Sequence, residues 1–384
     1  MKAIINGMVV LPHEIVGGHT VLYDEEGIYD VLPERLCRIG DCTDRIDAAG
    51  CFVTPGFINE HIHGIGGADT MDETGEALKI MAARLPATGV TSFLPTTMTC
   101  ERVRTENALR RIRVAQNAAL TGARVLGAHM EGPFINAEYK GAQAAKDIEK
   151  ADFSWLRPYK DVVKIITVAP ETIEDPAFFT ACREAGIIIS VGHSRATYEE
   201  VKEATAHVAS YHITHLYNAM PPLHHRHPGI VGAALTDERA KCELICDNIH
   251  VHPAAQLLVY KAKGRDGIIL VTDSVRACLN GEGESELGGQ PVFVHAGEAR
   301  LADGTLAGSV VPMNLAVLNF MVNTGAPLPD AVAMASLNPA AALGMADRLG
   351  SLEKGKQADM VVLDGEDFRV KKTIVGGKLI YDGV

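Results

Sequence analysis

The sequence predicts an α/β protein, a (β/α)8 TIM-like barrel over residues 54–349 with a small β domain assembled from residues 1–53 and 350–384. Three observations predict it. Between Thr54 and Leu349, eight short β-branched runs alternate with longer segments of helical period, as βα units around a parallel sheet do. Both ends instead carry short alternating strands separated by turn signals, among them Asn6-Gly7, Glu26-Gly27, Asp364-Gly365 and Gly376-Gly377, with no convincing helix. Residues of metal-ligand type stand at the carboxyl ends of several runs, which is where barrels of this kind build their sites.

Taken in order, the first run, Cys51 to Ile58, leads to His61 and His63. The second is Val90 to Thr96, the third Val125 to His129 leading to Glu131, and the fourth Val162 to Val168. Ile187 to Gly192 ends at His193, and His212 to Thr214 ends at His215. Leu244 to Asp247 approaches His250, and Ile268 to Thr272 ends at Asp273. Between them, Thr74 to Ala87, Glu101 to Ala119 and Thr197 to Val208 are rich in Ala, Glu, Arg and Leu, with apolar residues every three or four positions, and read as helices. Residues 279–308, Gly-rich and with strand-like Pro291 to Val294, predict a β-hairpin inserted after the eighth strand.

Composition narrows the function. The chain has 384 residues, 47% of them hydrophobic and 22% charged, so it supports a large core and no disordered linker. A net charge of -12 argues against nucleic acid or anionic membrane as the main partner, because phosphate backbones are held by excess Lys and Arg. An anionic small substrate stays open where basic groups converge. The N-terminus lacks the apolar stretch of a signal peptide and no long apolar run follows, which predicts a soluble, cytoplasmic protein. The eight cysteines form no CxxC pair and are expected to be reduced, with Cys242 and Cys246 read as core packing.

The strand-end residues carry the chemistry. Side chains two apart on a strand point the same way, so His61 and His63 can offer two nitrogens to one cation. Glu131 has two oxygens, able to bind one cation or bridge two, and Gly132-Pro133 turns the chain sharply just after it. His193 and His215 end neighbouring strands, and with Glu131 two strands away they make a three-ligand site that leaves a position for water. His129 and His212 fall off the ligand parity and read as structural. Asp273 ends the eighth strand, beside the first in a closed barrel, and so faces the His61/His63 pair. A carboxylate there can take a proton from an attacking water and return it to a leaving group. There is no GxSxG, GxGxxG or GxxxxGK[ST] motif, so serine-hydrolase, dinucleotide and P-loop readings lack support.

These residues stand in Pro55-Gly56-Phe57-Ile58 before His61-Ile62-His63-Gly64, in Glu131-Gly132-Pro133-Phe134, in Gly192-His193-Ser194 and in His215-Leu216-Tyr217-Asn218-Ala219-Met220. With Asp247 and His250, Val271-Thr272-Asp273, Leu306-Ala307-Gly308-Ser309 and Gly350-Ser351-Leu352-Glu353, the chain resembles the amidohydrolase superfamily nearly end to end. Within it the chain is most similar to the N-acetylglucosamine-6-phosphate deacetylases, for which the block from His215 to Met220 is the most diagnostic. The resemblance implies a β-sandwich from the two ends and removal of acetate from N-acetyl-D-glucosamine 6-phosphate. It implies one or two divalent metal ions, Zn or Fe: one held by Glu131, His193 and His215, and a second by His61 and His63, shared with Glu131 and Asp273. It further implies that Gln143, Asn218, Ala219 and His250 meet the sugar phosphate and that Leu306 lies near the acetyl methyl. Arg226 would bind phosphate across the interface of a homodimer, a task suited to a guanidinium.

Two positions depart from the family pattern. His227 replaces an acidic residue between Arg226 and Pro228-Gly229, which puts three histidines in His224-His225-Arg226-His227, and Gln143 stands where many members have histidine. Either change can shift the preferred sugar. The alternatives are therefore a deacetylase of N-acetylgalactosamine 6-phosphate, another N-acyl amidohydrolase or, remotely, a non-catalytic barrel scaffold.

Overall fold

At Gly56 the chain passes from one sheet into another, and only glycine fits, since a Cβ there would lie 2.2 Å from the Thr91 hydroxyl. The computed structural model describes residues 1–37, 40 and 42–383. Before Gly56, Phe52–Pro55 lies in an eight-stranded sheet built from both chain ends. Lys2–Val10 pairs with Ile15–Tyr23, Asp44–Asp47 and Phe52–Pro55. Met360–Leu363 then joins Phe52–Pro55 antiparallel and stitches the C-terminal strands to the N-terminal ones. Ile4, Val21, Tyr23, Val53, Met360 and Ile374 form its own apolar core. The strand beginning at Phe52 puts the crossover two residues beyond the expected boundary at 54.

After Gly56 come the eight barrel strands: β1 Phe57–Ile62, β2 Val90–Thr97, β3 Ala128–Glu131, β4 Val163–Val168, β5 Ile188–Val191, β6 Tyr211–Ile213, β7 Ala240–Ile245 and β8 Ile268–Val271. Each pairs in parallel with the next. The ring closes where the Asp273 N–H donates to the His61 carbonyl at 2.9 Å and Ile62 bridges Ser274. Buried on both faces, such strands read as continuous apolar runs, which is why Ile268–Val271 is Ile-Ile-Leu-Val. Each side chain of that kind contributes about 1.5–3 kcal/mol by leaving water.

The helices take the expected places with shorter spans, Glu76–Arg84, Arg102–Gln116 and Tyr198–Ala204. The last starts on a capping box: the Thr197 hydroxyl accepts from the Glu200 N–H, and the Glu200 carboxylate accepts from the Thr197 N–H. No helix among the described residues is long and apolar enough to cross a membrane.

Two expected elements take a different form. The third run splits: Arg124–Val125 pairs only with β2, and the barrel strand begins after Gly127, whose φ of 149° breaks the extended chain. The hairpin expected within 279–308 is a three-stranded antiparallel sheet, Gly283–Leu287, Gln290–His295 and Glu298–Leu301. Its inner residues Leu287, Val292, Val294 and Ala299 pack on Met71 and Met98, which seats the sheet beside the carboxyl ends of the barrel strands.

Candidate metal centre

At those ends His193, His215 and Asp273 have φ of 49°, 31° and 47°. Left-handed backbone costs a non-glycine residue roughly 1–3 kcal/mol and is kept where the surroundings over-determine it. Here all three strand-end side chains turn to one focus.

Three imidazoles have their Nδ1 atoms tied away from that focus. His61 Nδ1 donates to Glu243 at 2.8 Å, His63 Nδ1 to the Thr96 carbonyl at 3.2 Å and His193 Nδ1 to the Tyr139 carbonyl at 2.9 Å. These bonds fix the three ring planes and aim each Nε2 at the focus. Together with His215 Nε2, these atoms converge. His193 and His215 Nε2 are each 3.2 Å from Glu131 Oε1 and 3.1 Å from one another. His61 and His63 Nε2 lie 3.4 and 3.2 Å from Asp273 Oδ1, and His63 Nε2 lies 3.3 Å from Glu131 Oε2. Tetrahedral ligands at about 2.0–2.1 Å from an ion stand about 3.3 Å apart, so both triads have the edge length of a cation site. Glu131 with His193 and His215 forms one such group and His61 with His63 and Asp273 another, while His61 with His129 and Glu243, and Glu60 with His212 and Glu243, are grouped as closely one layer below.

The electrostatics point the same way. Burial opposes charge on His61, yet Asp273, Glu243 and Glu131 outweigh it and raise its pKa well above the usual imidazole range. Burial likewise opposes charge on His63, but its hydrogen bonds to Asp273 and Glu131 lift it to about 10. Burial raises Asp273, but His61 and His63 bring it down to about 2, and His61 and His193 hold Glu131 well below the carboxylate range. A field that holds protons on these rings so strongly also draws a divalent cation, which would displace those protons on binding.

Beside this centre lies a cavity of about 200 Å³, lined also by Asn218, Ala219, His250, Leu287 and Leu306. His250 is aimed by Asp247, whose carboxylate accepts from its Nδ1 at 2.6 Å and from two backbone N–H groups. A larger cavity of about 460 Å³ opens beside helix Arg102–Gln116, but no imidazole or carboxylate lines it, so size does not locate the site.

The structure thus gathers His61, His63, Glu131, His193, His215 and Asp273 at one focus, with Asn218, Ala219, His250 and Leu306 at its rim. Two expected contacts are absent within the single chain. Gln143 is buried, but it does not line the cavity: its amide bonds the Thr99 N–H and Glu131. Arg226 is exposed on its loop, 2.7 Å from His225 and among the stacked rings of His224 and His227, away from the cavity.

Sequence reasoning missed Glu243. One of its oxygens accepts from His61 Nδ1 and, at 3.3 Å, from the His215 backbone N–H, so it braces one ligand of each triad. The available signal was a carboxylate in the middle of an apolar strand, Ala240–Ile245. For His129 and His212 it is the parity argument that needs correction, while both stay outside the two triads. They do point into the barrel, and depth rather than parity separates them from the ligands. The His129 ring lies 4.6 Å from that of His61, and His212 Nδ1 lies 3.0 Å from Glu60, one layer below the centre.

Comparison with known proteins agrees with this geometry. Residues 52–380 match the profile of the amidohydrolase family. The chain is 41% identical over 340 residues to the N-acetylglucosamine-6-phosphate deacetylase of Bacillus subtilis (strain 168), covering 87% of this chain and 85% of that one. It is 36% identical to the N-acetylgalactosamine-6-phosphate deacetylase of Escherichia coli O157:H7, over 85% of this chain and 86% of that one. A crystallised variant of the Mycobacterium smegmatis N-acetyl-D-glucosamine-6-phosphate deacetylase, in complex with N-acetyl-D-glucosamine 6-phosphate, superposes with a TM-score of 0.91 at 27% identity, covering 99% of each chain.

Proposed function

The chain belongs to the amidohydrolase family, and from that premise we propose that it hydrolyses N-acetyl-D-glucosamine 6-phosphate to acetate and D-glucosamine 6-phosphate. The observation that carries this reading is the convergence of four imidazoles, Glu131 and Asp273 on one focus that opens onto a cavity of about 200 Å³. Glu131, His193 and His215 would hold one divalent cation, and His61, His63 and Asp273, with Glu131 shared, a second. Zn or Fe suits this donor set. Such a cation supplies Lewis-acid polarisation of a carbonyl and acidifies water.

The chain's own residues do the rest. Asp273, ionised at neutral pH, takes the proton of the attacking water as its oxygen bonds to the acetyl carbon. It passes that proton to the amide nitrogen as the C–N bond breaks, and acetate and the free amine leave. Leu306 offers an apolar wall to the methyl group. His250, oriented by Asp247, and Asn218 and Ala219 meet the sugar and its phosphate.

Arg226 lies outside the cavity of its own chain, so its phosphate role requires a second subunit, and we assign a homodimer in which each loop reaches the partner's site. A cytoplasmic location goes with this reading. Arg226→Ala is expected to raise KM for the phosphorylated sugar about 10- to 100-fold, since a charge-assisted hydrogen bond contributes about 1.5–3 kcal/mol. An unchanged KM in steady-state assays would remove the phosphate assignment.

A second reading, deacetylation of N-acetylgalactosamine 6-phosphate, is favoured by the Escherichia coli relative. Acetate release from both sugars, with and without the 6-phosphate, decides between them. Release from neither phosphorylated sugar would refute both.

A further inference from the structure

We propose that Gln143 is a positioning residue that fixes the plane of the Glu131 carboxylate and thereby sets which oxygen each cation receives. This rests on reading the centre as a divalent-cation site. The amide has no freedom to flip. Its Oε1 lies 2.7 Å from the Thr99 N–H, which can only donate, so Nε2 is the atom that faces Glu131 Oε2.

The backbone of Gln143 is pinned as well. Its N–H donates to the Lys140 carbonyl at 2.9 Å, and the neighbouring Ala142 carbonyl accepts from Gln290 of the three-stranded sheet at 2.7 Å. Gln143 is 3% exposed.

Glu131 needs such a restraint. Its Oε1 stands within 3.2–3.4 Å of His193, His215 and His61, while its Oε2 is 3.3 Å from His63. Left free to rotate about its last bond, the carboxylate can give both oxygens to one ion or one to each. A donor on Oε2 occupies one lone pair, leaves the other toward His63 and keeps Oε1 toward His193 and His215. The donor is also neutral, so it orients the carboxylate without cancelling the charge that draws cations, as Lys or Arg in its place would.

The test uses full-length protein stripped of metal and titrated with Zn2+ by equilibrium dialysis, alongside kcat and KM on N-acetyl-D-glucosamine 6-phosphate. Gln143→Ala removes the amide, and Gln143→Met keeps the length but has no donor. Melting of the zinc-free forms shows whether each variant is folded. Both variants are expected to bind at least one Zn2+ about 10- to 100-fold more weakly, as loss of an orienting partner does, and to lose kcat with KM nearly unchanged. Zinc titrations that overlay the wild type, with a raised KM, would overturn the proposal and return Gln143 to the sugar. Failure of the functional reading is separable: it shows as wild-type protein that releases no acetate, while the zinc titrations still decide Gln143.

Discussion

Asp273→Asn is expected to lower kcat for acetate release by about 10²- to 10⁴-fold while leaving KM within a small factor. Asparagine has almost the same shape, so it can keep the backbone bonds that close the barrel, from the Asp273 N–H to His61 and from the Ser309 N–H to the Asp273 carbonyl. What it loses is the ability to accept a proton, together with the negative charge that Asp273 brings to His61 and His63. The carboxylate lies 3.4 and 3.2 Å from His61 and His63 and borders the cavity, so no other acid on that wall is placed to replace it except Glu131, which is committed among the imidazoles. Single-turnover measurement of acetate separates loss of chemistry from slow release. A variant that keeps more than about a tenth of the wild-type kcat would show that Asp273 is not the proton carrier.

Glu131→Ala should have the largest effect of any single change, because this one side chain touches both triads. The pair His193 and His215 would lose its only carboxylate, and His61, His63 and Asp273 would remain as the one triad still able to hold a cation. Loss of Lewis-acid stabilisation of several kcal/mol corresponds to about 10³- to 10⁵-fold in rate. Metal analysis of the purified variant should find at most one ion per chain, held by His61, His63 and Asp273. Full occupancy by metal would mean that the remaining histidines suffice, and that Glu131 is not the shared ligand.

Most of the barrel could be read from the chain because its strands are continuous β-branched runs and its helices repeat at 3.6 residues. The six ligand-type residues were legible for a related reason: each follows the last apolar residue of a run, where polar side chains otherwise have no cause to recur. Glu60 and Glu243 were harder to read, because a charge inside an apolar strand signals that it needs a partner but not which one, and their partners His212 and His61 lie on other strands. The direction of Gln143 was equally hidden, since a loop side chain points where tertiary contacts place it, in this case onto Thr99 and Glu131. Arg226 depends on a second chain, and Gly127 divides a run whose composition looks uniform.

The left-handed backbone at His193, His215 and Asp273 has an implication for how this protein can change. At each of these positions a glycine would sit more comfortably, and the chain carries its metal-seeking side chains against that preference. Replacing any of the three by glycine would relax the backbone and remove a ligand at once, so robustness and turnover pull in opposite directions at these positions.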